Sequence, residues 1–280
     1  MVPDAEVDFA AGYIGGANGP LFVVQVGRAD PGRLSVLLLP PFAEEMNCSR
    51  RFLVGLARRL SAVGCCVFLL DYYGTGDSGG RFADATPDRW RGDVAAVHDR
   101  LTAHFDRPPA WVGVRLGASL GALSASTVAR PPSALVLIQP VTSGRSFLTQ
   151  FLRLGLVSAL AGGRREGPKD LLARSVAGET VRVAGYDLAP AMVSALQALD
   201  LATAMPPPAT RLVWYELVRD IAADPPRRLR PPSAWGAAAP IERLLESEPF
   251  WSIQEPQVPA TVLDAVCEDL AALDRSWVGR

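Results

Sequence analysis

Lysine is almost absent from this 280-residue chain: Lys169 is the only one, and nearly all the basic residues are arginine. The 28 basic and 29 acidic residues leave a formal net charge of −1. Binding a nucleic acid through bulk electrostatics requires a clear excess of positive charge. The charge balance therefore predicts no nucleic-acid partner.

Cysteine is also scarce, with Cys48, Cys65, Cys66 and Cys267 as the full set. Their spacing does not match that of zinc ligands, and two of them adjoin an apolar run, which is typical of buried, reduced thiols. The sequence thus predicts no metal site, and no motif in it indicates a cofactor.

Two kinds of hydrophobic segment are missing. The N-terminal residues contain no basic stretch followed by an apolar one, so no secretory signal is visible. The longest apolar run is much shorter than a membrane span. We therefore expect a protein without membrane spans and with a cytoplasmic location.

Apolar runs of strand length alternate with helix-like segments along most of the chain. The predicted strands are Leu21–Val26, Ser35–Leu39, Cys66–Leu70, Ala110–Val114, Ala134–Ile138, Arg211–Leu217 and Ile241–Leu245. The predicted helices between and after them are Ser49–Ser61, Asp88–Phe105, Leu116–Ala129 and Ala260–Leu273. This alternation predicts one α/β domain over residues 1–280, with a mainly parallel, doubly wound sheet.

The alternation is interrupted between about residues 142 and 205. Phe147–Leu160 and Pro190–Leu199 have helical amphipathic patterns, with a loop at Gly162–Gly167 between them. Such an insertion after a sheet strand predicts a helical cap over the mouth of a site. The Pro- and Arg-rich stretch Pro225–Pro232 predicts an exposed loop.

The segment Asp71–Gly80 (DYYGTGDSGG) resembles the D-x-x-G-x-G-x-S-x-G turn of α/β-hydrolases. Its glycines allow a tight backbone, and Asp71 and Ser78 can bond main-chain groups. We interpret the motif mainly as a brace for neighbouring loops. Contact of Asp71 or Ser78 with a substrate is the alternative.

Two segments compete for the nucleophile elbow, the sharp strand-to-helix turn that presents the nucleophile in that fold. Gly117–Gly121 (GASLG) matches the G-x-S-x-G pattern, whereas Gly113–Gly117 (GVRLG) has arginine in place of serine. The strand Ala110–Val114 ends directly before Arg115, and Ser119 falls inside the following helix. We therefore predict Arg115 at the elbow and keep Ser119 as the alternative nucleophile.

Histidine is the residue whose scarcity matters most for chemistry. His98 and His104 are the only two, and both precede the elbow strand. The base of a Ser-His-Asp triad follows the acid in this fold, near the C-terminus. Where its loop is expected, the sequence reads Glu246–Trp251 (ESEPFW). A serine hydroxyl without a general base is a weak nucleophile, so the ordinary serine-esterase mechanism is disfavoured.

Several motifs resemble the exosortase A system-associated hydrolase 2 family, over roughly residues 34 to 270. They are Pro40–Arg51 (PPFAEEMNCSRR), Gly113–Ala118, Gln139–Arg153 (QPVTSGRSFLTQFLR), Gly185–Leu188 and Glu248–Trp251. The resemblance implies an α/β-hydrolase fold and a link to exopolysaccharide production and PEP-CTERM sorting. It also implies that arginine at the elbow is part of the family pattern. Cys48 departs from that pattern, which has a basic residue there.

The Pro40–Arg51 loop occupies the place of the oxyanion-hole loop. A solvated segment with a helix cap at Asn47 or Ser49 is the simplest interpretation. The functional alternative pairs Arg115 with Glu44 or Glu45, because a buried guanidinium requires an anion. In that alternative, Arg115, Glu44, Glu45 and Asp71 are candidate catalytic residues, and Phe42, Asn47, Ser78 and Leu116 are candidate binding residues.

Three functions remain open on the sequence alone. The protein binds a ligand or partner through a pocket at Arg115, or it hydrolyses or transfers an ester or thioester with a non-standard acid/base set, or it is an interaction subunit of a biosynthetic complex. The predicted partner is a small-molecule or carrier-bound ligand, acyl or anionic in character. The sequence also leaves open a homo-oligomer.

Overall fold

The computed structural model describes residues 8–161, 167–222, 229–253, 255 and 257–278. Ten strands form: β1 (Phe9–Gly16), β2 (Gly19–Val26), β3 (Ser35–Leu39), β4 (Cys66–Leu70), β5 (Ala110–Val114), β6 (Ala134–Ile138), β7 (Val181–Val183), β8 (Tyr186–Leu188), β9 (Arg211–Val218) and β10 (Ile241–Glu246). The described part of the chain also forms seven α-helices: α1 (Glu44–Ala62), α2 (Pro87–His104), α3 (Leu116–Ser124), α4 (Gly144–Ala161), α5 (Pro168–Val176), α6 (Pro190–Ala198) and α7 (Ala260–Val278).

Eight strands form one sheet in the order β1-β2-β4-β3-β5-β6-β9-β10. The pairs from β4 to β10 are parallel, and β1 and β2 add an antiparallel edge. The central strands β3, β5 and β6 are fully buried, as expected where helices cover both faces. The predicted mainly parallel, doubly wound sheet is confirmed.

The core has two layers, one on each side of this sheet. One joins alternate side chains of the strands to α2, α3 and α4, and the other joins them to α1 and α7. Parallel strands direct their carboxyl ends to a single edge, so the loops after β3, β4, β5, β6, β9 and β10 gather there. This edge contains the elbow and the loop before α1.

Three predicted helix ends are wrong by five residues each, and one of them is the end of α7, which extends to Val278 rather than Leu273. Helix α1 begins at Glu44, after Ala43, and not at Ser49 with an Asn47 or Ser49 cap. The Asn47 amide instead bonds Glu44 and Tyr186 from within the first turn. Helix α3 ends at Ser124 rather than Ala129, where the Thr127 hydroxyl donates to the Ser124 carbonyl and satisfies a helix-terminal acceptor.

The segment 142–205 contains α4 and α6, close to the predicted helices, together with α5 and the two-stranded sheet β7–β8, which sequence patterns did not predict. Strand β1 was also missed, because its glycine- and alanine-rich sequence lacks an alternating apolar pattern. Residues 162–166 and 225–228 of the two predicted loops lie outside the described residues. None of the described helices is both long enough and apolar enough to span a bilayer.

Candidate functional site at the elbow

Arg115 lies at the turn between β5 and α3, as predicted. Its backbone has φ 54° and ψ −119°, and its N–H donates to the Ile138 carbonyl of the next strand. The flanking glycines are required by packing: a Cβ at Gly117 would collide with the Leu39 carbonyl oxygen, and one at Gly113 would collide with the Ala118 Cα. The G-x-R-x-G sequence therefore satisfies the steric needs of a nucleophile elbow while presenting a guanidinium.

Ser119, the alternative nucleophile, lies inside α3 and is fully buried. Its hydroxyl donates to the Val141 carbonyl at 2.7 Å and lies 3.3 Å from the Arg115 carbonyl. Neither contact is with an imidazole. The hydroxyl serves as a link between α3 and the segment after β6.

The Arg115 guanidinium is held by two polar and two aromatic groups. Its Nε donates to Glu45 Oε1 at 3.1 Å, and its Nη1 donates to the Gln139 carbonyl at 3.3 Å. Its Cζ lies 5.2 Å from the ring centre of Trp251 and 5.8 Å from that of Phe147, within the range of cation–π attraction. Both side chains of the Arg115–Glu45 pair are largely buried, at 14% and 15% exposure.

Glu45, and not Glu44, is the partner of Arg115. Burial raises the pKa of Glu45, and the Arg115 charge and hydrogen bond oppose that rise without cancelling it. One carboxylate oxygen, Oε2, is buried with no hydrogen-bond partner. Glu44 instead accepts from Asn47 at 3.0 Å, and the same amide lies 3.0 Å from the Tyr186 hydroxyl on β8. The site thus contains a carboxyl group that is only half satisfied.

Backbone strain is concentrated around this pair. Four non-glycine residues of the described chain have positive φ, and three of them belong to the site: Ala43 at 50°, Arg115 at 54° and Gln139 at 45°. Ala43 directly precedes α1, and Gln139 supplies the carbonyl that binds Arg115. Such conformations cost about 1–3 kcal/mol each and are typical of functional sites.

The Asp71–Gly80 turn is internally satisfied. Asp71 Oδ2 accepts from the Asp77 N–H at 3.0 Å, and the Ser78 hydroxyl donates to the Asp71 carbonyl while accepting from the Phe22 N–H. A Cβ at Gly76 would collide with the Asp71 carboxylate. Arg50 approaches Asp71 at 3.5 Å. These contacts place Asp71 and Ser78 in a brace rather than in contact with Arg115.

The remaining candidate binding residues differ in accessibility. Asn47 is exposed, whereas Phe42 and Leu116 are each 1% exposed. Phe42 packs against Phe147 and Phe151 as part of the core. The side chains of Phe42 and Leu116 therefore belong to the hydrophobic core. Leu116 also begins α3, where backbone N–H groups lack intrahelical acceptors.

Both histidines lie on α2, as predicted. His98 is fully buried, and because the Trp111 indole N–H donates to its Nδ1 at 3.1 Å, its Nε2 carries the proton and donates to the Arg130 carbonyl at 2.8 Å. Burial lowers the pKa of His98. Its ring is used to join α2 to β5 and to the loop after α3.

Trp251, Phe147 and Gln139 are the site residues that sequence reasoning missed. All three lie in motifs that carry the family resemblance, the Gln139–Arg153 and Glu248–Trp251 runs, but nothing in those runs indicates contact with Arg115. Trp251 follows β10, in the loop where a triad histidine is expected, and its indole faces the guanidinium. Within the described residues no cluster of three or more His, Cys, Asp or Glu side chains could hold a metal ion.

Comparisons with known proteins agree with this architecture. The palmitoyl-protein thioesterase ABHD10, mitochondrial, of Homo sapiens is 28% identical over 119 residues, and that of Bos taurus is 27% identical over 119 residues. Each match covers 42% of this chain and 37% of the relative, so the chain spans little more than a third of the length of these curated proteins. No protein-family model matches the chain.

Solved structures match over almost the whole chain. Est1E from Butyrivibrio proteoclasticus with bound ferulic acid has a TM-score of 0.64 at 16% identity, covering 94% of this chain and 99% of that one. The thioesterase domain from the curacin biosynthetic pathway has a TM-score of 0.52 at 14% identity, covering 92% and 99%. The protein has the α/β-hydrolase fold.

Proposed function

We propose that the protein binds an anionic, acyl-bearing ligand at Arg115 and does so without a Ser-His-Asp triad. The observation that carries the proposal is the guanidinium at the elbow tip, where this fold presents its reactive group. A guanidinium offers five donors in a planar fork that matches carboxylate and phosphate. Arg115 uses Nε for Glu45 and Nη1 for Gln139, which leaves further donors for a ligand.

The triad is degenerate in this proposal for three reasons. Arginine replaces the nucleophile, the Ser119 hydroxyl is bonded within the core, and His98 is engaged on α2. Trp251 lies in the loop that would carry the base. An indole cannot accept a proton from a nucleophile, but its face attracts a cation. Arginine and tryptophan at these two positions thus favour binding of a charged group over proton transfer.

Binding is proposed to exchange one anion for another. Glu45 accepts a hydrogen bond from Arg115, yet burial raises its pKa and its Oε2 has no hydrogen-bond partner. Keeping this carboxylate ionised in the folded state therefore costs free energy. When a ligand carboxylate or phosphate replaces it, Glu45 takes up a proton and becomes neutral. Because binding consumes a proton, affinity is expected to increase as the pH falls.

The surroundings suit a ligand with an apolar part. Phe147 of α4 and Trp251 flank the guanidinium, and α4 belongs to the segment 142–205 that we propose as a cap. A groove of about 500 Å³ also lies along α1, lined by Asn47, Arg50, Arg51, Arg58 and neighbouring apolar residues. Its arginines favour a ligand, or the carrier of one, that bears further negative charge.

Hydrolysis of an ester or thioester is the second candidate, and the unpartnered Glu45 Oε2 is the observation that favours it. A carboxyl group with a raised pKa can act as a general base toward water, with Arg115 stabilising the oxyanion. The similarity to a palmitoyl-protein thioesterase and to a solved thioesterase domain supports this chemistry as an alternative. The exopolysaccharide context and the cytoplasmic location remain parts of the proposal that rest on sequence alone.

Titration calorimetry with sodium octanoate tests the proposal. Wild-type protein is expected to bind more tightly at pH 6 than at pH 8, and an Arg115→Met variant is expected not to bind. Glu45→Gln removes the competing charge, so it should bind more tightly and lose the pH dependence. The double variant Arg115→Met with Glu45→Gln removes both charges of the ion pair. It controls for any loss of stability that the unpaired Glu45 causes in the single arginine variant.

Hydrolysis of octanoyl-coenzyme A by the same proteins separates the two candidates. Under the binding proposal, neither wild type nor Glu45→Gln releases free thiol above the buffer rate. Turnover by wild type that Glu45→Gln abolishes would establish the hydrolase instead. Labelling by a fluorophosphonate that disappears in Ser119→Ala would contradict the degenerate triad, and unchanged octanoate binding by Arg115→Met would contradict the role of Arg115.

A further inference from the structure

The two edges of the large sheet are chemically different. Edge strand β10 (IERLLE) carries Glu242, Arg243 and Glu246, charges of the kind that prevent edge-to-edge pairing. Edge strand β1 (FAAGYIGG) contains no charged residue and no proline over eight residues. Within the described chain, β1 has a partner strand on one side only. An uncharged edge of this length is a template for another strand.

The register of the β1–β2 hairpin shows which β1 groups face the free edge. Gly16 pairs with Gly19 across a two-residue turn, and the Asp8 carbonyl accepts from Gly27 N–H at 2.7 Å in the same register. Hydrogen-bonded and non-hydrogen-bonded pairs alternate in an antiparallel ladder. Even-numbered residues of β1 therefore bond to β2, and Phe9, Ala11, Tyr13 and Gly15 direct their N–H and C=O groups outward.

The side chains of these outward-bonding residues lie on one face of the sheet. Phe9 is 69% exposed and Tyr13 is 62% exposed, and Tyr13 contacts the Phe22 ring edge-on at 5.4 Å. An uncovered aromatic pair thus lies beside an unpaired backbone edge. The two features call for the same kind of partner, an extended strand with apolar side chains at alternate positions.

We propose that this partner is a second copy of the chain, with β1 pairing antiparallel to β1 across a two-fold axis at Ala11. An isologous contact requires a self-complementary strand. This register places Phe9 opposite the partner's Tyr13 twice and forms about six backbone hydrogen bonds from the outward groups. In this register, each outward N–H and C=O group of one copy faces an outward group of the other. Every backbone hydrogen bond between the paired residues can therefore form.

Charge complementarity supports this register. Asp8 lies one residue before β1 and is opposite the partner's Ile14. In each copy, Ile14, Gly15 and Arg100 of α2 line one surface depression. Asp8 makes only a 3.8 Å contact with Arg28, both of them exposed, and Arg100 has no ion pair in the described residues. The two-fold therefore brings an acid of one copy toward a base of the other at both ends of the paired strands.

Disulfide trapping tests the pairing directly. Cα atoms of a hydrogen-bonded antiparallel pair lie about 5.5 Å apart, which suits a disulfide. Ala11→Cys is expected to give a covalent dimer on mild oxidation, and Ala10→Cys, one position off the axis, is the matched control that should not. The four native cysteines are buried and free, so background cross-linking is low.

Sedimentation equilibrium measures the unmodified assembly. Wild type is expected to be dimeric, Tyr13→Lys at least ten-fold weaker in self-association, and Ile241→Lys on the opposite edge unchanged. Ala11→Pro, which removes an outward N–H, gives the same loss by a second route. A monomeric wild type at tens of micromolar, or cross-linking of Ala10→Cys in place of Ala11→Cys, would overturn the proposal.

Discussion

Asp269 and Glu45 are both largely buried carboxylates paired with arginine, and their surroundings differ. Asp269 of α7 accepts from Arg243 through both oxygens, at 2.8 and 3.2 Å, and from the Tyr215 hydroxyl at 2.5 Å. Glu45 of α1 accepts from Arg115 through one oxygen at 3.1 Å, and the other has no partner. One pair holds α7 against β9 and β10, and the other lies at the elbow.

The difference separates a structural ion pair from a candidate functional one. The pKa of Arg243 is raised by its bonds to Asp269, and the pKa of Tyr215 is raised by burial and by Asp269, so each group is held in its present protonation state. Glu45 has a raised pKa because burial outweighs the stabilisation that Arg115 provides. A fully satisfied carboxylate stabilises the fold, whereas a half-satisfied one can change partner or protonation state.

The largest effect is expected from breaking the satisfied pair. Asp269→Ala leaves the buried Tyr215 hydroxyl without an acceptor and Arg243 without its anion, and should lower the free energy of unfolding by about 3 kcal/mol. Urea denaturation followed by tryptophan fluorescence measures the change. Asp264→Ala on the same helix removes an exposed pair with Arg59 and should cost less than about 0.5 kcal/mol. Equal losses in the two variants would contradict the comparison.

A smaller effect is expected from Arg115→Ser. The variant leaves Glu45 buried without its cation, but protonation of Glu45 limits the penalty to about 2 kcal/mol. It restores a serine at the elbow without supplying a base, so no hydrolysis of p-nitrophenyl acetate is expected above a heat-inactivated control. The loss in stability should shrink as the pH falls, since a neutral Glu45 needs no cation. Robust esterase activity in this variant would contradict the absence of a general base beside residue 115.

Asp93 adds a third case to the comparison, a buried carboxylate that accepts no hydrogen bond from a cation. Its Oδ2 accepts from the Tyr73 N–H, its Oδ1 has no partner, and burial raises its pKa to about 6. The folded state therefore holds a proton that the unfolded chain releases at about pH 4, so stability is greatest below pH 4 for this group and is lost as the pH rises toward 6.

We expect wild-type stability to fall by at least about 1.4 kcal/mol over that interval on account of Asp93, since one pKa unit corresponds to that free energy. An Asp93→Asn variant should lack this contribution to the slope. Urea denaturation of both proteins at several pH values between 4 and 7 checks the difference. Parallel pH profiles of the two proteins would show that Asp93 ionises in the folded state as it does in water.

Local patterns accounted for most of the sheet and for the position of the elbow. Strands β3, β4, β5 and β6 are predicted to the residue. A short apolar run bounded by turn residues is typical of a strand in a sheet that is buried on both faces. Strand β1 is a glycine-rich edge with exposed side chains, and it has no such signal. Helix α1 begins five residues early because a strained Ala43, rather than a polar cap, turns the chain.

The sequence by itself determined that arginine, and not serine, follows the elbow strand, and that no histidine lies after residue 104. Both are matters of order along the chain, and parallel strands convert order into position at one sheet edge. Only the tertiary structure decided that Glu45 rather than Glu44 binds Arg115, and that Trp251 and Phe147 enclose it. Those contacts join residues from 32 to 136 positions apart, so they depend on how α1, α4 and the loop after β10 meet at the edge, which no local pattern encodes.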